Sequence, residues 1–72
     1  MVGRIFSVLD AFSTSRRTLR LAEIADSAGL PRPTAMRIIR QLVEHGVLVR
    51  HGMKYEIGAR IWHLGLLAAV QS

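Results

Sequence analysis

The residues best suited to chemistry in this sequence lie just after a glycine at position 29. They are Arg32, Pro33, Thr34, Met36, Arg37 and Arg40. An arginine can donate two parallel hydrogen bonds to O6 and N7 of guanine, and threonine or methionine can contact a thymine methyl. The group therefore predicts a surface that reads duplex DNA, with Arg40 on a phosphate. The alternative is that Arg37 and Arg40 only solvate an exposed helix face.

A second set of basic residues flanks this group on both sides. Its members are Arg20, Arg50, His51, Lys54 and Arg60. We expect Arg50, His51 and Lys54 to lie over the DNA backbone or in the adjacent minor groove, although charges on short strands also serve to protect a sheet edge. Arg20 could contact a phosphate, and Arg60 either holds a phosphate or pairs with Glu56.

The sequence has no pattern typical of catalysis or of a metal site. Its three histidines, His45, His51 and His63, are spaced widely and have no cysteine near them, whereas zinc ligands usually come in closer pairs. Neither a glycine-rich phosphate loop nor a nucleophile with a base is evident. We therefore expect no enzymatic activity, no metal and no cofactor.

The charge balance favours a polyanionic partner. The 72 residues include 10 Lys and Arg against 5 Asp and Glu, a formal net charge of +5. Small basic domains most often meet a polyanion, and ribosomal and tail-binding modules share this property with DNA-binding domains. No apolar run approaches the roughly 18 residues that span a membrane, and the N-terminal segment is a poor signal peptide. We expect one small cytoplasmic domain without disulfides, because cysteine is absent.

Two helices and a tight turn are needed to position the basic residues. Residues 21–28 predict a short helix, and Gly29 tolerates the positive φ that the following turn requires. The next helix, from about 32 to 45, should bury one face, because apolar residues recur there at helical spacing. These are Ala35, Ile38, Ile39 and Leu42. Gly46 is a suitable left-handed stop.

The flanking segments complete the predicted domain. A first helix over residues 2–12 should bury a stripe made of Val2, Ile5, Phe6, Leu9 and Phe12. Residues 18–20 suit a short edge strand, and residues 47–57 predict a hairpin whose two-residue turn is His51-Gly52. A final helix over 59–71 is apolar on more than one face, which favours a second partner such as another subunit.

These elements predict a fold that is mainly α with a small β-hairpin. The order of elements is typical of a winged helix-turn-helix, with a three-helix core, a two-stranded wing and a C-terminal linker helix. We expect the DNA-binding domain to occupy residues 1–58 and the linker helix residues 59–72.

A run of motifs makes the chain resemble one family in particular. The motifs begin with Leu21-x-Glu23-Ile24-Ala25 and Gly29-Leu30-Pro31-Arg32-x-Thr34, and continue with Leu42-Val43-Glu44-x-Gly46, Tyr55-x-Ile57-Gly58 and Arg60-Ile61-x-x-Leu64-Gly65. In these the chain resembles the N-terminal DNA-binding domain of the IclR family of bacterial transcriptional regulators. It departs from the family at Pro33, where a small polar residue is usual.

The resemblance implies binding to a double-stranded DNA operator by a homodimer or a pair of dimers. The first and last helices would join the subunits and set two recognition helices about 34 Å apart, one turn of DNA. It also implies that a small-molecule effector acts through a C-terminal domain that these 72 residues do not include. We therefore expect the chain to be a piece of a larger regulator, with a natural stand-alone domain as the alternative.

Two other functions fit the same residues. A winged helix can bind duplex DNA or structured RNA without regard to sequence. It can also serve protein–protein contact, with its apolar helices against a partner.

Overall fold

Three helices and three short strands form the part of the chain described by the structure, a computed structural model that covers residues 2–13, 15–59 and 61. The elements are α1 (Val2–Asp10), β1 (Thr18–Arg20), α2 (Leu21–Ala28), α3 (Arg32–Glu44), β2 (Leu48–His51) and β3 (Lys54–Ile57). The predicted final helix, with Trp62, lies almost entirely outside these residues. Within them, no helix has the length and apolar character needed to cross a bilayer.

The strands form one antiparallel sheet in the order β1-β3-β2. β2 and β3 are the two arms of the wing, and β1 pairs with the outer edge of β3, with Leu19 opposite Tyr55. The predicted edge strand is therefore present. Three helices followed by this wing make the winged helix-turn-helix fold that the sequence predicts.

The core lies between the three helices and one face of the sheet. The predicted inner face of α3 is confirmed, since Ala35, Ile38, Ile39 and Leu42 are all buried. It packs in one cluster with side chains from every other element, including Phe12, Leu19, Ile24, Leu48 and Ile57. A helix fixed in this way on its apolar side must hold its polar side in one orientation.

Among the residues whose burial is described, the stripe that α1 buries contains Val8 in place of the predicted Phe6. Phe6 is 47% exposed, whereas Val8 is fully buried beside Leu9. Ile5, Val8, Leu9 and Phe12 are spaced i, i+3, i+4 and i+7, which is one continuous helical face, and Phe6 lies off it. The prediction was wrong because two apolar stripes overlap in this helix and only contact with α2 and α3 decides between them.

The turn between α2 and α3 has the backbone that the sequence predicts. Gly29 adopts φ 69°, and the N–H of Leu30 donates to the carbonyl of Ala25 over 3.0 Å. Gly46, which follows α3, is also left-handed, with φ 77°. At the start of α2, the N–H of Arg20 donates to Oε1 of Glu23 over 2.9 Å. Local hydrogen bonds thus hold the start of α2 and the turn between the two helices.

The tip of the wing lies one residue further along the chain than predicted. His51 pairs with Lys54, so the two-residue loop consists of Gly52 and Met53 rather than His51 and Gly52. Gly52 has φ 64° and Met53 has a negative φ, an arrangement that suits a type II′ hairpin turn with glycine at its first central position. Met53 therefore leaves the predicted strand and lies at the exposed tip.

Candidate nucleic-acid interface

The exposed side of α3 carries two adjacent rows of side chains. One row turns toward the wing and contains Arg32, Met36 and Arg40, each four residues after the last. The other row, which we name the outer row, contains Pro33, Arg37 and Gln41 at the same spacing. Because four residues bring a helix almost back to the same side, each row follows the helix axis and faces one direction.

An open groove of about 480 Å³ separates α3 from the wing, and we refer to it as the wing groove. Four arginines border it: Arg20, Arg32, Arg40 and Arg50. Its apolar part is formed by Met36, Met53 and Tyr55, together with Leu21 and Ala22 at the start of α2. Among the described residues, no acidic side chain lines it, so it has one sign of charge.

The outer row forms part of a second, shallow surface beside the wing groove. Pro33, Arg37 and Gln41 line it together with Met36 and Arg40. Arg37 is exposed, whereas Thr34 and Met36 are half-buried, and Met36 packs against the core. The sequence placed all of these on the outer face, but their positions around the helix turn Thr34 and Met36 partly toward the core.

The arginines of α3 have no carboxylate partners in the described part of the chain. The two ion pairs found there join Arg16 to Glu23 at 3.9 Å and His51 to Glu56 at 3.0 Å. Arg32, Arg37 and Arg40 take part in neither. Their guanidinium groups therefore retain their hydrogen-bonding capacity for a ligand.

The basic residues of the wing do not share one face. Arg50 is opposite Tyr55 in the register and faces the wing groove with it. His51 is opposite Lys54, which puts both on the other face because side chains alternate along a strand. The sequence treated Arg50, His51 and Lys54 as one set, and the sheet separates them.

Arg50 also braces the tip of the wing. Its Nε–H donates to the carbonyl of Gly52 over 2.8 Å. The bond uses one of the five guanidinium N–H groups, so the others remain available toward the wing groove. His51, by contrast, has its Nε2 engaged with Oε1 of Glu56.

Of the eleven residues predicted for the site, the structure describes ten. It brings Arg20, Arg32, Met36, Arg40 and Arg50 together around the wing groove and places Pro33 and Arg37 beside it. His51 and Lys54 lie on the far face of the wing, and Thr34 is half-buried in α3. Arg60 lies outside the described residues, so its contact with phosphate or Glu56 stays a prediction.

Two residues of this surface were missed by the sequence reasoning. Gln41 belongs to the outer row, and its position four residues after Arg37 was a usable signal. Met53 borders the wing groove, and no sequence signal separated it from the strand that follows. No set of three or more histidines and carboxylates among the described residues is placed to hold a metal ion.

Comparison with known proteins agrees with this geometry. The family model of the IclR helix-turn-helix domain matches residues 1–52 of the chain. No curated protein sequence is similar enough to count as a match.

Solved structures of whole regulators contain the same fold. An IclR homologue from Microbacterium hydrocarbonoxydans, complexed with 4-hydroxybenzoate, is 33% identical with a TM-score of 0.81; the alignment covers 88% of this chain and 27% of that one. An IclR family transcriptional regulator from Brucella abortus is 35% identical with a TM-score of 0.81, over 89% of this chain and 25% of its own. The chain thus spans about a quarter of the length of these relatives.

The family match covers most of the sequence, and it includes the turn, α3 and the first strand of the wing. The chain belongs to the IclR helix-turn-helix domain family, a family of DNA-binding transcription regulators and not of enzymes.

Proposed function

We propose that this domain binds duplex DNA in a sequence-specific manner, with α3 in the major groove. The observation that carries the proposal is the outer row, which projects from a helix whose other face is packed in the core. In this row Arg37 is exposed and has no carboxylate partner among the described residues. A helix held in this way presents its side chains in one fixed register to base edges. Arg37 would donate two hydrogen bonds to a guanine, and Gln41 could pair with an adenine in the same manner.

The wing groove supplies the contact with the DNA backbone. A strand of DNA that passes between α3 and the wing would meet Arg32 and Arg40 on one side and Arg50 on the other, with Arg20 at the end of β1. These contacts fix the register of the protein on the duplex without reading sequence. Lys54, on the far face of the wing, would lie over phosphates across the minor groove, and Arg60 would add a contact beyond the wing.

Thr34 and Pro33 have smaller roles in this arrangement. Thr34 is half-buried, so its hydroxyl would reach a phosphate at the edge of the groove and not a base at its centre. Pro33 offers only carbon atoms, and its ring could pack against a thymine methyl. His51 would contact a phosphate only after its hydrogen bond with Glu56 is broken, because that bond occupies its Nε2.

We further propose that the domain works as a homodimer in which α1 forms part of the subunit contact. Phe6, which is 47% exposed on α1, is an apolar side chain available for that contact. The predicted linker helix from residue 59 would complete it, and residues 1–58 would be the DNA-binding unit. Any effector would act through residues outside these 72, as expected for relatives about four times as long.

Selection from a pool of random duplexes tests the proposal. The wild-type chain should enrich a defined sequence, and Arg37→Ala should lose about 1–3 kcal/mol of discrimination at one base pair of that sequence. Arg4→Ala is the matched control, because Arg4 is an exposed arginine of α1 that lines neither the wing groove nor the shallow surface beside it. Fluorescence anisotropy with matched and single-substituted duplexes measures both.

Two results would overturn sequence-specific binding. If operator and random DNA compete equally at physiological salt, the domain binds nucleic acid without regard to sequence. If the chain binds no DNA even at low salt, the winged helix serves protein contact instead. If Arg37→Ala and Arg4→Ala lose the same affinity, Arg37 does not recognise a base.

A further inference from the structure

The tip of the wing exposes an apolar side chain in the middle of a basic surface. Met53 is 76% exposed, more than Phe6 at 47% or Val49 at 40%. These are the large hydrophobic side chains that the described part of the chain leaves in solvent. Because the Met53 side chain is exposed, it contributes no burial energy to the free protein. Its apolar surface would be removed from water only by contact with a bound molecule.

Met53 lies on the side of the wing that faces α3, whereas Val49 does not. Met53 borders the wing groove together with Arg32 and Arg50. Val49 is opposite Glu56 in the register, on the far face of the sheet. Of the two exposed apolar residues of the hairpin, Met53 alone borders the wing groove, through which the proposed DNA strand would pass.

The loop that carries Met53 is braced. The Arg50 Nε–H donates to the Gly52 carbonyl over 2.8 Å, a bond that ties the loop to β2. The pairing of His51 with Lys54 joins the two strands directly before and after the loop. Met53 is therefore presented from a short, fixed hairpin with cationic side chains on both sides.

We propose that Met53 is an apolar minor-groove contact of the wing and that it wedges against one base step next to the major-groove site. The inference rests on the proposed binding of duplex DNA. Apolar side chains that enter the minor groove unstack a base step and bend the duplex toward the major groove. Arg50 and Lys54 beside the tip would neutralise the phosphates on either side of the groove. Pyrimidine–purine steps yield most easily to such a wedge, so Met53 adds a preference for TA or CA at that position.

The test uses the duplex that the wild-type chain enriches from a random pool, labelled at both ends for energy transfer. We expect Met53→Ala to weaken binding by about tenfold and to lengthen the end-to-end distance of the bound duplex. The salt dependence of binding should not change, because no charge is removed. Met53→Leu should bind within about twofold of wild type, since its volume and apolar character are kept.

Val49→Ala is the matched control, because it removes an exposed apolar side chain from the same hairpin on the far face, and it should bind and bend as wild type does. Thermal unfolding followed by circular dichroism would show that all variants fold. The inference is overturned if Met53→Ala binds and bends DNA as wild type does while the wild type still selects one sequence, a result that leaves the proposed function intact. It is also overturned if Met53→Lys binds more tightly with the bend unchanged, since the tip would then face phosphate. If the wild-type chain enriches no sequence, the proposed function and this inference fall together.

Discussion

Gly58, at the exit of the wing, has the least space for a side chain among the glycines that the structure describes. A Cβ built at this position would lie 2.7 Å from the carbonyl oxygen of Gly46. That carbonyl belongs to backbone that cannot retreat freely, because the N–H of Val47 bonds Leu42 and the N–H of Gly58 bonds Val47, both over 2.8 Å. A single hydrogen atom at Gly58 thus lets the wing close onto the end of α3.

We expect Gly58→Ala to lower the free energy of unfolding by about 1–3 kcal/mol, as overpacking against fixed atoms does. Urea denaturation followed by circular dichroism measures it. Gly3→Ala is the matched control. Gly3 lies in α1, and no atom of the described residues comes within 4 Å of the added Cβ, so alanine there should stabilise by about 0.5–1 kcal/mol through helix propensity. Equal stability of Gly58→Ala and wild type would show that the turn at Gly46 gives way.

At the scale of the element, α3 presents one row of side chains to the wing groove, for the proposed phosphate contacts, and the outer row to the proposed base contacts. Arg40 faces the wing groove, where Arg50 approaches from the opposite side. Arg37 lies in the outer row with Pro33 and Gln41. Two arginines three residues apart on one helix should therefore fail in different ways when they are removed.

Replacing Arg40 with alanine should weaken binding to every duplex by a similar factor and leave base preference as it was. The reason is that a phosphate contact carries no sequence information. The slope of log affinity against log salt should fall in magnitude by about 0.9, the value for one neutralised phosphate. Titrations of enriched and random duplexes at several salt concentrations test this. A changed base preference with an unchanged slope would place Arg40 on a base instead.

At the scale of the molecule, Phe6 is the large exposed apolar side chain that the helices of the described residues leave in solvent. Phe6 lies on α1 and lines neither the wing groove nor the shallow surface beside it. The proposed dimer would cover it with a second copy and leave both copies of α3 free to meet DNA.

We expect Phe6→Ser to shift the chain from dimer to monomer in sedimentation velocity, because the variant removes apolar area from the subunit contact. Binding to a duplex with two half-sites should weaken more than binding to a single half-site. Val49→Thr is the control, since it makes a similar polar change on the wing. If Phe6→Ser and wild type sediment alike, α1 does not form the contact.

The sequence was sufficient to predict most of the helix-turn-helix. α2 has the predicted bounds, and the buried face of α3 consists of the four predicted residues. These features are local: a helical period, a left-handed glycine and a proline in the first turn of α3 act within a few residues of themselves. The cluster of arginines around α3 was visible for the same reason.

Only the tertiary structure decided which side chains are in contact and which lie on opposite faces of a helix or sheet. Phe6 and Val8 compete for the buried side of α1, and packing against α2 and α3 selects Val8. The pairing of His51 with Lys54 shifts the hairpin loop by one residue and moves Met53 from the predicted strand to the tip. Alternation of side chains along the paired strands puts Arg50 and Lys54 on opposite faces. A one-residue change of position in a strand reverses the face of a side chain, and sequence pattern alone does not resolve a single residue. The sequence by itself determined the charge, the helices and the turn, while strand register and packing between elements determined the surface that those charges form.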